Sequence, residues 1–176
     1  MTHGAWELRP GRTADAATLT GIEQRACGLL RGRPAWPVFS RTHLAAADHI
    51  GAAGKGRLWV AQAAGQVAGY ALYGELDGAA HLEQMEVEPA HGRRGIGRAL
   101  LECVAARATA EGFGRMTLVT LRDVPWNAPS YARAGFAVLD PAGCTPGLHA
   151  VLAQERSLGF PMYLRVVMQR WLGTRG

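Results

Sequence analysis

Lysine, cysteine and long hydrophobic runs are all scarce in this chain of 176 residues. Its three cysteines, Cys27, Cys103 and Cys144, lie far apart without a CxxC pair, which favours buried free thiols over a disulfide or a zinc site. The six histidines show no HxxxH or HExxH spacing, so we expect no bound metal. No apolar run is long enough to span a bilayer, and the first residues lack the apolar region of a signal peptide. We therefore expect a cytoplasmic protein.

The positive charge of the chain is carried almost entirely by arginine. The net charge is +5, yet Lys55 is the single lysine among 19 lysine and arginine residues. The arginines are spread along the chain. They are concentrated in one stretch, residues 91–98, where they are interspersed with glycines and not with aromatic residues. A nucleic-acid-binding surface is therefore the weaker interpretation, and this stretch becomes a candidate for a more specific anion site.

The order of predicted elements is mixed. A hydrophobic content of 48% fits one domain with its own core, and neither a linker nor a repeat divides residues 1–176. Alternation and turn residues predict strands at 6–10, 57–62, 66–74, 81–88, 116–121, 136–140 and 163–171, of which the second and third form an antiparallel hairpin. Helical periodicity and capping residues predict helices at 13–30 with Thr13 as N-cap, 41–53, 96 to Gly112, 128–135 after the cap Asn127, and 147–158. This order predicts an α/β fold on one mostly antiparallel sheet.

The stretch EPAHGRRGIGRALLE, residues 88–102, places glycines and arginines between a predicted strand and an amphipathic helix. Free N–H groups and the positive end of the helix dipole attract an anion there, and Gly95 and Gly97 allow its close approach. We therefore predict a phosphate or pyrophosphate at residues 93–98. A P-loop would need a lysine followed by serine or threonine, and a dinucleotide fingerprint would need glycine in place of Leu100, so neither fits.

Two segments together resemble the GCN5-related N-acetyltransferase (GNAT) family. The sequence VEPAHGRRGIGRALL, residues 87–101, is similar to the family's motif A, with a valine, a proline two residues on, and a Gly-x-Gly pair that opens a helix. The sequence WNAPSYARAGF, residues 126–136, is similar to a later family motif. The resemblance implies an α/β (α+β) fold with a mixed, mostly antiparallel central sheet flanked by helices on both faces. At Gly92 the sequence departs from the family pattern, which usually has glutamine or arginine.

The resemblance also implies acetyl-coenzyme A as the donor and assigns contacts to it. Backbone groups along the motif A strand would pair with the pantetheine amides, and the glycine-rich turn would hold the pyrophosphate. Asn127 is expected to cap its helix, to contact pantetheine, or both. The predicted coenzyme-binding residues are Met85, Glu86, Val87, Arg93, Arg94, Gly95, Ile96, Gly97, Arg98, Asn127 and Tyr131.

Acetyl transfer to an amine needs two proton transfers. An amine of pKa about 10 must lose a proton before it attacks, and a departing thiolate must gain one. Tyr131 matches the tyrosine that donates this proton in many family members. Glu83 is the first choice for the base, acting through a water, with His81 second and Glu86 as a lower-ranked candidate.

We therefore expect an acetyl-CoA-dependent N-acetyltransferase that acts directly on an amine of a small molecule. One alternative is a protein N-terminal or lysine acetyltransferase, and another is a non-catalytic coenzyme A-binding or nucleic-acid-binding module. The expected partners are acetyl-CoA and the amine acceptor. No membrane partner is expected, and a homodimer stays an open alternative.

Overall fold

A computed structural model describes residues 2, 3 and 6–173 of the chain. The chain divides into two compact units by contacts between its Cα atoms. Unit 1 comprises Met1–Gly74 and Leu82–Arg107, and unit 2 comprises Glu75–His81 and Ala108–Gly176. No helix in the described part of the chain combines the length and the apolar character needed to cross a membrane.

Unit 1 contains the N-terminal strands and the helices that precede and follow them. Its strands are β1 (Thr2–His3), β2 (Trp6–Pro10), β3 (Leu58–Ala63), most of β4 (Gln66–Leu76) and most of β5 (Ala79–Val87), hydrogen-bonded in that order. Its helices are α1 (Ala16–Cys27), α2 (Trp36–Phe39), α3 (Ala46–Gly54) and most of α4 (Ile96–Ala110).

The predicted β3–β4 hairpin is confirmed. The strands pair antiparallel, with Leu58 opposite Leu72 and Ala63 opposite Gln66. The two residues between them, Ala64 and Gly65, have φ values of 48° and 78°. Positive φ at both central positions is typical of the type I′ turn, whose twist matches that of the strands it joins.

The core of unit 1 lies between α1 and strands β3 and β4. Leu19 and Ile22 of α1 are fully buried against Leu58, Val60, Tyr70 and Leu72. Burial of each such side chain contributes roughly 1.5–3 kcal/mol before the entropy cost of ordering. This packing fixes which side of α1 faces the sheet and so which of its polar residues point toward β5.

Unit 2 contains the C-terminal elements. They are β6 (Arg115–Leu121), α5 (Ala128–Arg133), β7 (Ala137–Val138), α6 (Pro146–Leu158) and β8 (Arg165–Trp171). The first residues of β5 pair parallel with β6, with Ala80 opposite Met116. β6 and β7 both pair antiparallel with β8. The mixed α/β fold with a mostly antiparallel sheet flanked by helices is therefore confirmed.

Several predicted boundaries are wrong near helix starts. Thr13 is not an N-cap but the first residue of a 3-10 turn, and Asp15 accepts the N–H of Arg12 (2.8 Å) in the capping role. The helix predicted from residue 41 begins at Ala46, where Asp48 accepts the N–H of Ala45 at 3.0 Å. Residues 36–39 form a short helix where a loop is predicted, since Pro37 has the φ that a first helical turn requires.

Candidate active site

The predicted anion site lies in unit 1, where β5 leads into α4. After Val87 the chain makes a 3-10 turn at Pro89–His91, closed by a hydrogen bond from Gly92 N–H to Pro89 O of 3.1 Å. Arg93 and Gly95 then have φ values of 61° and 80°. A left-handed backbone is unfavourable for arginine, and such strain is found where a turn serves a binding site.

The N–H groups at this turn have no acceptor among the described residues. Within the described residues, none of the backbone N–H groups of residues 93–98 donates a hydrogen bond, and the next one, from Ala99, bonds to Gly95 O at 3.0 Å. These groups stand at the positive end of the α4 dipole. The turn therefore offers several aligned donors to an anion, as the sequence predicts.

Three arginines add positive charge at the same turn. Arg93, Arg94 and Arg98 are exposed, and in the described part of the chain none of their side chains forms a hydrogen bond or an ion pair. Ile96 is buried and anchors the first turn of α4 in the core, while Gly97 is half-buried. The arginines can therefore reach an anion without first giving up a protein partner.

Two residues that support the turn are missing from the sequence-based set. Trp6 of β2 is buried and donates its indole N–H to Arg94 O at 3.2 Å. A Cβ at Gly69 of β4 would lie 2.9 Å from Glu86 O and 3.3 Å from Ile96 Cγ2, so only glycine lets β4 approach this closely. Neither residue is near residues 88–102 in sequence, and only the strand order reveals their role.

His81, a predicted base, lies in unit 2 in a closed and satisfied environment. Its side chain is buried, and Nδ1 lies 2.8 Å from Thr117 Oγ1 on the neighbouring strand β6. Burial lowers the pKa of His81 to about 4. The imidazole is therefore neutral at pH 7, but such a weak base is poorly matched to an ammonium group of pKa about 10.

Glu83, the first-ranked base, lies in unit 1 and extends across β4. A Cβ at Gly74 would overlap the carboxylate of Glu83, so the strands accommodate this side chain only because position 74 is glycine. Although Glu83 as a whole is exposed, desolvation of its carboxylate and the negative charge of Asp48 raise its pKa, while Lys55 and Arg57 oppose that shift. Lys55 and Arg57 therefore lie close enough to favour its charged form.

Glu86 has a different environment from Glu83, although both lie on β5. Its carboxylate has no cationic partner in the described residues, and its hydrogen bond comes from Gln84 Nε2 at 3.4 Å. Burial, followed by the negative charge of Glu23, raises the pKa of Glu86 to about 8. Met85 and Val87, the other predicted backbone contacts on this strand, are half-buried beside it.

Asn127 and Tyr131 lie on α5 in unit 2. Asn127 occupies the predicted N-cap position, but its side chain makes no capping hydrogen bond there. The backbone carbonyl of Asn127 instead accepts N–H bonds from Ser130 (2.8 Å) and Tyr131 (3.0 Å). Tyr131 is half-buried with its ring edge against Phe136, at a centroid distance of 5.8 Å. The Asn127 amide is therefore not consumed by the cap.

The thiols and the acidic groups form no metal-binding arrangement within the described residues. No three histidine, cysteine, aspartate or glutamate side chains there cluster closely enough to hold an ion. Cys27 is a buried free thiol, and Cys103 and Cys144 are half-buried free thiols. Burial raises the pKa of each of them, which disfavours the reactive thiolate.

A model of the acetyltransferase (GNAT) family matches residues 23–136, which is more than half of the chain. The chain therefore belongs to this family of acetyltransferases. The matched residues include the turn at 93–98, the candidate bases on β5, and both Asn127 and Tyr131. The resemblance seen in the two short motifs is thus confirmed over a much longer stretch.

Solved structures of the family share the fold at low sequence identity. The PaiA N-acetyltransferase from Thermoplasma acidophilum, in complex with coenzyme A, is 14% identical with a TM-score of 0.68, over 95% of this chain and 99% of that one. YncA from Salmonella typhimurium, with its cofactor acetyl-CoA, is 22% identical with a TM-score of 0.65, over 98% and 97%. The ribosomal-protein-S18-alanine N-acetyltransferase from Escherichia coli is 18% identical with a TM-score of 0.65, over 97% and 96%.

Proposed function

We propose that residues 1–176 act as one domain that transfers an acetyl group from acetyl-coenzyme A directly to an amine of a small molecule. The observation that carries this proposal is the turn at residues 93–98, with its unbonded N–H groups and unpaired arginines. A pyrophosphate is the ligand that best suits several aligned amides together with arginine side chains. Family structures that contain coenzyme A or acetyl-CoA support the same donor.

Residues of both family motifs are proposed to hold the coenzyme, with roles taken from their places in those motifs. The amides and arginines of residues 93–98 would hold the pyrophosphate, and the backbone of residues 85–87 would pair with the pantetheine amides. The free amide of Asn127 is a further contact. When bound, the coenzyme supplies an acetyl group activated as a thioester. A backbone N–H at residues 85–87 would stabilise negative charge that develops on the acetyl oxygen.

Tyr131 is proposed as the general acid. Its phenol is half-buried on α5, and its position in the second motif matches the family's proton donor. A phenol of pKa near 10 can donate to a departing thiolate and recover its proton from solvent. No covalent enzyme intermediate is needed, and the raised pKa of each cysteine argues against a thiolate nucleophile.

We favour a small-molecule acceptor over a protein acceptor. Glu23 and Tyr70 are buried, and Gln84 and Glu86 are half-buried, so an extended polypeptide would have little access to these polar groups. The protein-acceptor alternative stays open to test, since one family structure is an acetyltransferase for a ribosomal protein.

Calorimetry with acetyl-CoA, followed by an amine panel monitored through thiol release, tests the proposal. We expect micromolar to millimolar affinity for acetyl-CoA and thiol release with at least one small amine. Absence of binding would overturn the assignment of the donor. Release only with peptides would replace the acceptor with a protein, and binding without release on any acceptor would favour a non-catalytic module.

The variant Tyr131→Phe tests the general acid. We expect kcat to fall about 10-fold to 1,000-fold while calorimetric affinity for acetyl-CoA stays within about twofold, because only a proton donor is removed. Phe136, which contacts the same ring, offers a matched control. Phe136→Leu changes the packing but not the hydroxyl and should leave kcat much less affected. An unchanged kcat in Tyr131→Phe would remove Tyr131 from the mechanism.

A further inference from the structure

We propose that Arg25 of α1 is a positioning residue for the turn at residues 93–98. Arg25 acts through an ion pair with Glu88, which follows the last residue of β5 and begins the segment that leads into this turn. Both residues belong to unit 1. This role rests on the proposed function, because it concerns how the turn that would hold the pyrophosphate is itself held in shape.

Arg25 and Glu88 contact each other through several hydrogen bonds. Nε of Arg25 donates to both carboxylate oxygens of Glu88, at 2.9 Å to Oε1 and 3.0 Å to Oε2, and Nη2 donates to Oε2 at 2.7 Å. The planar guanidinium of arginine allows such a paired contact, whereas the ammonium group of lysine does not. The contact joins residues 63 positions apart in the chain and so ties the end of β5 to α1.

Gly21 leaves room for this orientation of Arg25. It lies on α1 one helical turn before Arg25, and a Cβ at Gly21 would be 3.2 Å from Nη1 of Arg25. Glycine inside a helix is unfavourable relative to alanine, so its presence here has a cost. That cost is offset by the space that glycine leaves for a guanidinium lying along the surface of α1 toward Glu88.

The backbone of Glu88 is fixed at the same point. Its N–H donates to Ala68 O on β4 at 2.9 Å, and its carbonyl accepts the N–H of His91 at 2.8 Å within the 3-10 turn. These two bonds and the carboxylate held by Arg25 together determine where the chain leaves the sheet. The path from Pro89 to the turn at residues 93–98 starts from this point.

The turn needs support from both sides because Arg93 is strained. Its φ of 61° lies in the left-handed region, which is unfavourable for arginine. A strained backbone persists only where the surrounding contacts determine it. After Arg93, the carbonyl of Arg94 accepts the indole N–H of Trp6 at 3.2 Å. Before Arg93, the ion pair between Arg25 and Glu88 holds the segment to α1.

The ion pair is accessible to water and salt, which limits its strength. The side chain of Arg25 is 56% exposed, and that of Glu88 is 18% exposed. Both residues line a cavity of about 590 Å³ whose wall also includes Thr18, Gln66 and His91. An exposed pair of this kind changes an equilibrium by at most about fivefold, and its effect weakens as the salt concentration rises.

Amide hydrogen exchange without coenzyme tests the positioning directly. In Arg25→Gln the amides of His91 and Gly92, which are bonded within the 3-10 turn, should exchange about two- to fivefold faster than in the wild type. Amides at the centre of β4 should be unaffected. Arg107→Gln, at an exposed position near the end of α4, removes the same charge and is the matched control. Equal exchange in the two variants would overturn the inference.

The calorimetric affinity for acetyl-CoA connects this positioning to coenzyme binding. Arg25→Gln and Glu88→Gln change the net charge in opposite directions, yet both should raise the Kd about two- to fivefold, because both release the turn. If Arg25 instead attracted the coenzyme directly through its charge, Glu88→Gln would leave the Kd unchanged or lower it. That result, or an unchanged Kd in both variants, would overturn the inference.

Combined and conservative variants show whether the two residues act as one contact. The double variant Arg25→Gln/Glu88→Gln should raise the Kd no further than either single substitution does. Arg25→Lys should recover only part of the affinity, because it restores the charge but not the paired hydrogen bonds. Additive effects of the two single substitutions would show that the residues act separately and would contradict the proposed role.

Steady-state kinetics with an amine acceptor distinguishes positioning of the coenzyme from a part in the chemistry. Arg25→Gln should raise the KM for acetyl-CoA about two- to fivefold and leave kcat within about twofold of the wild type. At about 1 M salt the difference in KM should largely disappear. A fall in kcat with an unchanged KM would contradict the inference. Absence of acetyl-CoA binding in the wild type would refute the proposed function, whereas wild-type binding that neither variant weakens would refute this inference alone.

Discussion

Strand β5 carries two titratable side chains, His81 and Glu86, that burial keeps neutral at pH 7 by opposite shifts. The pKa of His81 falls to about 4, and the pKa of Glu86 rises to about 8. His81 Nδ1 shares a hydrogen bond with Thr117 Oγ1, on a strand that pairs with its own. Glu86 instead accepts a hydrogen bond from Gln84, whose amide also lowers the pKa of the buried Glu23, beside a tyrosine hydroxyl that has no hydrogen bond of ordinary geometry in the described residues.

The difference teaches that a shifted pKa does not identify a functional residue by itself. Around His81 the polar groups are satisfied, so nothing is gained when a ligand binds. Around Glu86 the acceptors outnumber the donors, so a cationic ligand would be stabilised. The two sites should therefore also affect stability in opposite directions as the pH changes.

The largest effect on stability is expected at Glu86. Its folded pKa lies above the unfolded value of about 4.5, so the folded protein holds the extra proton between these values and loses stability as the pH rises toward 8. Glu86→Gln removes this loss. Between pH 5 and pH 9 the free energy of unfolding of the variant should rise by about 3 kcal/mol or more relative to that of the wild type. Urea unfolding without ligand measures this difference.

The control for this measurement is Glu111→Gln. Its side chain is exposed, so this variant removes one carboxylate without changing the surroundings of Glu86. Parallel stability curves for Glu86→Gln and the wild type would show that the Glu86 carboxyl is ionised at neutral pH.

A smaller effect of opposite sign is expected at His81. Its folded pKa lies below the unfolded value of about 6.5, so the unfolded chain binds the proton first and stability falls as the pH drops from 6.5 toward 4. His81→Gln removes this loss and keeps a polar group for Thr117. Over that pH range, the free energy of unfolding of the variant should fall by about 2 kcal/mol less than that of the wild type.

His149→Gln serves as the matched control because His149 is exposed on α6 in the same unit. This variant removes one imidazole without changing the surroundings of His81. If His81→Gln and His149→Gln behave alike at acid pH, the interpretation of His81 as a buried neutral imidazole is wrong. The contrast between the two sites on β5 would then rest on Glu86 alone.

The sequence allowed the turn at residues 93–98 to be predicted nearly in full. Glycine at 95, unpaired amides at a helix start and arginines beside them are local features, and their chemistry follows from spacing within one short segment. The strands and helices could also be predicted wherever the apolar pattern was strong, as in α4 and β6. Errors fell at helix starts, where side-chain contacts such as those of Asp15 and Asp48 decide the first residue.

The surroundings of Glu86 were not predictable in the same way. Alternation along β5 placed Glu83 and His81 on one face, but it carries no information about what covers each residue. Glu23 is a single acidic residue in a predicted helix, and Tyr70 is a tyrosine in a predicted strand. Neither position carries a local sequence signal that marks it as a neighbour of Glu86. Their approach to Glu86 depends on how α1 packs on β3 and β4 through Leu19 and Ile22.

The sequence by itself therefore determined the family, the glycine-rich turn at residues 93–98 and the secondary structure on either side of it, because these depend on residues adjacent along the chain. Only the tertiary structure showed that burial raises the pKa of Glu86 and that the Tyr70 hydroxyl lacks a hydrogen bond of ordinary geometry in the described residues. It also showed that the close approach of β4 to β5 requires glycine at position 69. Those properties are set by desolvation and by neighbours distant in sequence. Desolvation depends on what packs above a residue, and local sequence does not encode that.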